Sequence, residues 1–155
     1  LWVGLSDGTK FNIARWATWE TDSQMKVLAG DFNGDGRTDI VKIDVPVSGM
    51  EPRGLWVGLS DGTKFNIARW ITWYTGSRIR VLVGDFNGDG LADVMKFDVP
   101  DSGTEQMGLW FGISDGTKFI YHTRWATWHR NQYMHVLAAD IDGDKISDII
   151  KIDVQ

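Results

Sequence analysis

The sequence predicts an all-β protein built from three copies of one structural unit. The decapeptide Leu1–Lys10 recurs unchanged at Leu55–Lys64 and in altered form at Leu109–Lys118. Each copy contains short runs of β-branched and aromatic residues bounded by Gly- and Asp-rich turns, which is the pattern of β-strands. No stretch combines a long 3.6-residue periodicity with a cap at each end, so no helix is predicted.

The repeat has a period of 54 residues. Residues 1–20 and 55–74 differ at only two of twenty positions. The third copy gains one residue between Phe119 and Trp125, so its later part follows the second copy by 55 residues. A fixed period of this size is typical of solenoids, propellers and arrays. We therefore divide the chain into three units, residues 1–54, 55–108 and 109–155.

Each unit is predicted to contain four strands, which we describe in the first copy. Leu1–Leu5 is a short apolar run, and Asp7-Gly8 after it predicts a hairpin turn because glycine accepts the positive φ that such turns need. Phe11–Trp19 is a second extended segment, Met25–Ala29 a third, and Ile40–Val45 a fourth.

Four short strands in a unit of this length match a β-propeller blade better than other repeat types. A blade cannot bury both of its faces alone, so its neighbours must cover them. Three blades form an incomplete ring. We therefore expect the chain to assemble with copies of itself or to belong to a longer chain, and two copies would give six blades.

An acidic loop in each unit carries side-chain oxygens at its first, third, fifth and ninth positions. This spacing lets a short turn surround a hard cation such as Ca²⁺. With the backbone carbonyl of the seventh position added, the predicted ligands are Asp31, Asn33, Asp35, Arg37 and Asp39; Asp85, Asn87, Asp89, Leu91 and Asp93; and Asp140, Asp142, Asp144, Ile146 and Asp148.

The ion expected in these loops is a structural Ca²⁺, because protein oxygens fill most of its shell and a catalytic metal needs an open position. The alternative is a turn without metal, since Asn-Gly and Asp-Gly form turns unaided. The third loop departs from the other two: Lys145 replaces Gly36 and Gly90, and Asp142 replaces Asn33. The lysine costs roughly 1 kcal/mol where the loop turns sharply, whereas the added charge attracts a cation.

The nine tryptophans are the second informative feature, with three in each unit. On a regular strand, Trp16 and Trp19 point to opposite faces, so one can pack inward while the other reaches solvent. An exposed Trp beside Arg suits a sugar, whereas the alternatives are core packing and a structural cation–π pair. The predicted ligand-binding residues are Arg15, Trp16, Trp19, Arg69, Trp70, Trp73, Arg124, Trp125 and Trp128.

Composition excludes several classes of function. A net charge of −5 argues against nucleic-acid binding, and the chain has no cysteine for disulfide or thiol chemistry. No apolar run reaches the 18 residues that a membrane span needs. Serines are few and no Gly-x-Ser-x-Gly elbow is present, so we predict a protein that is not an enzyme. Millimolar calcium outside cells favours an extracellular or cell-surface location.

Three segments, residues 27–41, 81–95 and 136–150, resemble the FG-GAP/VCBS repeat. Each has an approach of small residues, the acidic loop and then an apolar strand, and together the three repeats cover essentially the whole chain. The resemblance implies a β-propeller with Ca²⁺ in interstrand loops. The order Gly-Leu-Trp-Val-Gly, Arg-Trp and Val-Leu-x-x-Asp is most similar to the tandem-repeat propeller lectins.

The function expected from the sequence is that of a calcium-stabilised propeller binding module, a multivalent carbohydrate-binding lectin. Near-identical blades would give repeated sites, and multivalency makes weak single sites useful. The alternative is a structural or adhesion segment of a larger surface protein whose partner is a protein. A propeller attached to an enzyme elsewhere in a longer chain is a third possibility.

Overall fold

The computed structural model describes residues 1–20, 24–48, 50–98, 106–121, 124–129 and 134–153. Within these ranges the chain forms strands and no helix, which confirms the all-β prediction. No helix capable of crossing a membrane exists in this part of the chain.

The strands are short and follow the repeat. In chain order they are β1 Trp2–Ser6, β2 Phe11–Arg15, β3 Met25–Gly30, β4 Asp39–Asp44, β5 Met50–Ser60, β6 Phe65–Gly76, β7 Ile79–Gly84, β8 Asp93–Asp98, β9 Gln106–Ser114, β10 Phe119–Tyr121, β11 Ala126–His129, β12 Met134–Ala139 and β13 Asp148–Asp153.

Four antiparallel sheets contain these strands, and none closes on itself. The N-terminal hairpin pairs β1 with β2, and the C-terminal hairpin pairs β12 with β13. Between them lie the first central sheet, in the order β3-β4-β5-β6, and the second central sheet, in the order β7-β8-β9-β10. β11 pairs with the earlier part of β9, so β10 and β11 together occupy the place that β6 has in the first central sheet.

The sheets are offset by half a unit from the sequence repeats. β4 pairs with β5, with Val41 opposite Val57, and β8 pairs with β9, with Met95 opposite Phe111. Each central sheet therefore takes its first two strands from one repeat and its last two from the next. The sequence boundary between residues 54 and 55 falls inside β5.

The aromatic segment of the second repeat contains an irregularity that the sequence did not reveal. The pairing of β5 with β6 shifts register between Leu55 and Trp56, which lie opposite Ile71 and Arg69. Trp70 is therefore an extra residue without a partner on β5, as in a β-bulge. Because of the bulge, strand parity alone does not assign the faces of Trp70 and Trp73.

The core lies where successive sheets pack on one another. Phe32, Trp70 and Phe119, from three successive repeats, form edge-to-face ring pairs with centroids 5.0 to 6.4 Å apart. The first core cluster includes Phe32, Val41, Ile43, Val45, Leu55, Val57, Trp73, Ile79, Val94 and Phe119, and the second Phe86, Met95, Phe97, Leu109, Phe111, Ile113 and Met134.

Consecutive acidic loops are joined directly by backbone hydrogen bonds. The Ala92 N–H donates to the Asp31 carbonyl at 2.8 Å, and the Ser147 N–H donates to the Asp85 carbonyl at 2.6 Å. The residue before each acceptor is Gly30 or Gly84, and a Cβ on Gly30 would lie 2.7 Å from the Ala92 Cβ. Glycine is required here for close approach. We call this contact the interloop joint.

Candidate functional site

The first acidic loop is held by its own carboxylates. Asp31 accepts hydrogen bonds from the N–H groups of Gly34 at 2.7 Å and Gly36 at 2.8 Å. Asn33 accepts from the Asp35 N–H at 3.1 Å, and Asp35 accepts from the N–H of the seventh-position residue at 2.9 Å. The second loop repeats these bonds on Asp85, Asn87 and Asp89.

The ninth-position aspartate ties the loop to the neighbouring strand. Asp39 is fully buried and accepts from the Phe32 N–H at 3.0 Å and the Ser60 N–H at 2.8 Å. Asp93 makes the equivalent bonds in the second loop. Each oxygen keeps a second lone pair, so this aspartate can still ligate a cation.

The charge at the ninth position is costly without a cation. Burial raises the pKa of Asp93 to about 6, against hydrogen bonds from Ser114 and Phe86 that lower it, and the nearby charges of Asp89 and Asp85 raise it further. Burial also raises the pKa of Asp39. A cation in the loop would favour the ionised carboxylates.

The third loop brings three acidic side chains together. Oxygens of Asp140, Asp142 and Asp148 lie within 4.8 Å of one another, and this is the one acidic group of that kind among the described residues. Asp144, also a predicted ligand, accepts from the Ile146 N–H at 2.8 Å. These three carboxylates could hold a hard cation, and in the first two loops Asn33 and Asn87 stand where this loop has Asp142.

At its sharp turn, the third loop has the unfavourable backbone conformation that the sequence predicts for Lys145. Lys145 has φ 73°, beside 81° at Gly36 and 87° at Gly90. The lysine therefore occupies a left-handed conformation that favours glycine. Its N–H still donates to Asp140 at 3.0 Å, so the loop closes despite the strain.

The seventh-position side chains differ in what they contact. Arg37 forms an ion pair with Asp35 at 2.8 Å, so its guanidinium competes with a cation for that carboxylate. Leu91 and Ile146 instead cover the glycines of the preceding loop: a Cβ on Gly34 would lie 2.7 Å from Leu91 and one on Gly88 2.9 Å from Ile146. Ligation by the three carbonyls stays a prediction.

The predicted aromatic residues do not form one repeated surface. Trp73 is buried in the first core cluster, and the half-buried Trp70 packs against it. Trp16 lies against Phe65 with ring centroids 5.3 Å apart. The exposed Trp125 stacks on Phe111 at 4.2 Å.

The remaining predicted residues have different neighbours. Trp128 packs against the second core cluster. The Arg15 Nη2 donates to the Thr18 hydroxyl at 2.9 Å. Arg69 lies 6.0 Å from the ring centroid of Trp56, as in a structural cation–π pair.

Arg124 is exposed and lies near Gly108, where an added Cβ would meet its Cδ at 2.5 Å. Close approach of backbone and arginine therefore requires glycine at this position. Gly54 has the same relation to the Cδ of Arg69, at 3.1 Å.

A cleft lies between the segment after β2 and the first central sheet. Its volume is about 550 Å³, and it is lined by Thr18, Trp19, Glu20, Lys42, Asp44, Arg53, Trp56 and Ile67. The Lys42 ammonium lies 5.7 Å from the Trp19 ring centroid and donates to Asp44 at 2.7 Å and to the Glu20 carbonyl at 2.8 Å. The cleft thus combines two indole walls with cationic and anionic groups.

Of the predicted ligand-binding residues, only Trp19 lines this cleft. The sequence does carry a signal for two other cleft residues, Lys42 and Asp44. Lys42 and Asp44 recur as Lys96 and Asp98 and again in the third repeat, although the residues between Asp39 and Lys42 are apolar. A lysine and an aspartate two residues apart, present at this place in all three repeats, indicate a polar site on the sheet.

Two charged residues of the cleft change between repeats. Glu20 corresponds to Tyr74 in the second repeat, and Arg53 corresponds to Met107 one period later. Lys96 donates to the Tyr74 carbonyl, as Lys42 does to that of Glu20. The backbone arrangement is therefore repeated, as are the two tryptophans, the lysine and the aspartate of the cleft, whereas Glu20 and Arg53 are replaced.

The chain matches no protein-family model and no curated protein.

Proposed function

We propose that the chain is a calcium-stabilised β-propeller segment that binds carbohydrate through the cleft of the first central sheet. The central sheets serve as blades, and the acidic loops fix their edges. The observation that carries the proposal is the combination of Trp19 and Trp56 with charged groups in one open cleft. The hydrophobic ring faces suit sugar C–H groups, and the charged side chains suit hydroxyls.

The volume of the cleft sets the size of the ligand. About 550 Å³ lies within the usual range for small-molecule sites. A mono- or disaccharide unit of a longer glycan therefore fits better than an extended polymer. Tyr74 and Met107 replace Glu20 and Arg53 in the next repeat, and Trp73 is buried where Trp19 is half-buried. The second repeat is therefore expected to bind more weakly or to prefer another sugar.

The experiment is a glycan array followed by calorimetry with the best ligand. We expect Arg53→Ala or Trp19→Ala to weaken binding about tenfold or more, the equivalent of about 1.4 kcal/mol. Arg80→Ala is the matched control, because Arg80 is exposed and lies outside the cleft.

Two results would contradict the carbohydrate proposal. One is an array without binding together with adhesion to a protein ligand, which would favour the adhesion-segment alternative. The other is equal affinity in Arg53→Ala, Trp19→Ala and the control, which would place binding elsewhere. Turnover of a glycoside would overturn the prediction that the chain is not an enzyme.

A further inference from the structure

The C-terminal hairpin exposes apolar side chains whose counterparts are buried in the central sheets. Ile141 is 61% exposed, whereas Phe32 at the same loop position in the first repeat is 0% exposed. Ile152 is 49% exposed, whereas its counterpart Ile43 is 0% exposed. The positions in the repeat are equivalent, and the difference is that no following sheet packs on the C-terminal hairpin among the residues that the structure describes.

The N-terminal hairpin shows the complementary exposure. Phe11 is 69% exposed, whereas Phe119 is 3% exposed because it packs on Phe32 and Trp70. Trp2 is also 69% exposed, whereas its counterpart Trp56 is half-buried. The N-terminal hairpin corresponds to the last two strands of the first central sheet, and the C-terminal hairpin corresponds to the first two.

We propose that β13 of one copy of the chain pairs antiparallel with β1 of a second copy. The joined sheet has the order β12-β13-β1-β2, which corresponds to β3-β4-β5-β6. The pairing of β4 with β5 places Ile40 opposite Gly58 and Lys42 opposite Trp56. The same register places Ile149 opposite Gly4, Ile150 opposite Val3 and Lys151 opposite Trp2 of the second copy.

A second copy is the occupant because its own β1 has the required sequence. Trp2–Ser6 is identical, residue for residue, to Trp56–Ser60, which fills this place against β4. β13 in turn keeps the sequence pattern of β4, with a lysine between two apolar residues and an aspartate at each end. The contact continues the repeat-to-repeat packing already present within one chain.

A buried carboxylate contact supports this register. Asp39 accepts from the Ser60 N–H across the strands, and Asp93 accepts from the Ser114 N–H, each at 2.8 Å. In the joined sheet, Asp148 would accept from Ser6 of the second copy in the same way. Within one chain, Asp148 keeps the loop bond from the Ile141 N–H at 3.1 Å.

The row of acidic loops also continues into the second copy. By the pattern of the interloop joint, the Asp140 carbonyl would accept from the Thr38 N–H of the second copy. Gly143 has open space around it, whereas its counterparts Gly34 and Gly88 are covered by side chains of the following loop. The seventh-position side chain of the second copy would cover Gly143.

One position departs from the pattern, and the proposal predicts whether changing it strengthens or weakens association between copies. Ala139 stands where the interloop joint has Gly30 and Gly84, and a Cβ on Gly84 would lie 2.8 Å from the Ser147 Cβ. Ala139 and Thr38 must therefore move apart. Association between copies is expected to be weaker than packing within a chain, and Ala139→Gly should strengthen it.

The first experiment uses the absence of native cysteine. Val3→Cys and Ile150→Cys chains are mixed under mild oxidation, because Val57 and Val41 lie directly opposite in the intact sheet. The mixture should yield a covalent species of twice the 17.5 kDa chain mass. Val47→Cys mixed with Ile150→Cys is the control, since Val47 is exposed and lies outside the strands.

The second experiment is sedimentation equilibrium over a wide range of concentrations. Ile152→Lys should weaken association by about tenfold or more, because the joined sheet would bury an unpaired charge. Val47→Lys should leave association unchanged, and Ala139→Gly should tighten it. Circular dichroism checks that each variant is folded.

The proposal is overturned if the unmodified chain stays at 17.5 kDa at every concentration. It is also overturned if the Val3/Ile150 mixture crosslinks no faster than the control mixture. Neither readout uses sugar binding, so a failed glycan array leaves this test intact.

Discussion

At the scale of the residue, the strain at Lys145 has a measurable cost. A non-glycine residue in the left-handed region costs about 1–2 kcal/mol, partly offset by the lower entropy of its unfolded chain. We expect Gly90→Lys to lower the free energy of unfolding by about 1 kcal/mol. Lys145→Gly should raise it by a similar amount, because the two positions have the same left-handed backbone.

Chemical denaturation in the presence of chelator measures both changes, because it separates backbone strain from ion binding. The matched pair exchanges the same two residue types at equivalent positions of two loops. Effects near zero for both substitutions, or effects of the same sign, would contradict a backbone origin.

The turn aspartates predict a dependence of stability on pH. Hydrogen bonds to Asp61, first from the Thr63 hydroxyl and then from the N–H groups of Thr63 and Lys64, lower its pKa from 3.8 to about 2. Because the folded pKa is the lower one, the stabilisation is complete above about pH 4 and is lost as the pH falls through 2.

Asp61→Asn keeps an oxygen acceptor but removes the charge. We expect the parent to be more stable than this variant at pH 6 and the difference to be much smaller at pH 2. Thermal denaturation at both pH values measures it. A difference that is the same at both would show that the charge of Asp61 contributes nothing.

At the scale of the element, each acidic loop is both a turn and a candidate ion site. Asp89 accepts from the Leu91 N–H at 2.8 Å, so an alanine here would remove a turn bond as well as a ligand. Asp89→Asn keeps an oxygen acceptor and removes the charge. We expect it to lower the melting temperature in calcium and to change it little in chelator, because the ion binds the folded state preferentially.

Differential scanning calorimetry at fixed calcium and with chelator tests this prediction. Asp61→Asn is the matched control, since Asp61 belongs to a hairpin turn outside the acidic loops and its effect should be the same in both conditions. Equal losses for Asp89→Asn in calcium and chelator would identify Asp89 as a turn former and not a ligand.

Sequence patterns predicted the elements well and their partners less well. Asp7-Gly8 and the apolar run before it locate β1 and its turn, because hairpin chemistry is local. The cleft brings Trp19 to Trp56 across 37 positions, and no local pattern encodes that contact. The bulge at Trp70 likewise arises from sheet pairing and not from strand parity.

At the scale of the whole molecule, the repeat predicted how many similar units to expect but not where the sheets divide. Sequence identity begins at Leu1 and again at Leu55, which places a boundary between residues 54 and 55. The hydrogen-bonded sheet crosses that point because β4 finds its partner in β5 of the next repeat. Similarity between the repeats gives the length of the repeating unit, but it does not show at which residue a sheet begins.

The half-unit offset has a consequence for how such a chain can change in length. Removing or duplicating one full period changes the number of complete sheets by one. Wherever the cut falls, the next repeat supplies the strands that the cut removes. Gene recombination can therefore lengthen or shorten the array without a new breakpoint in the fold.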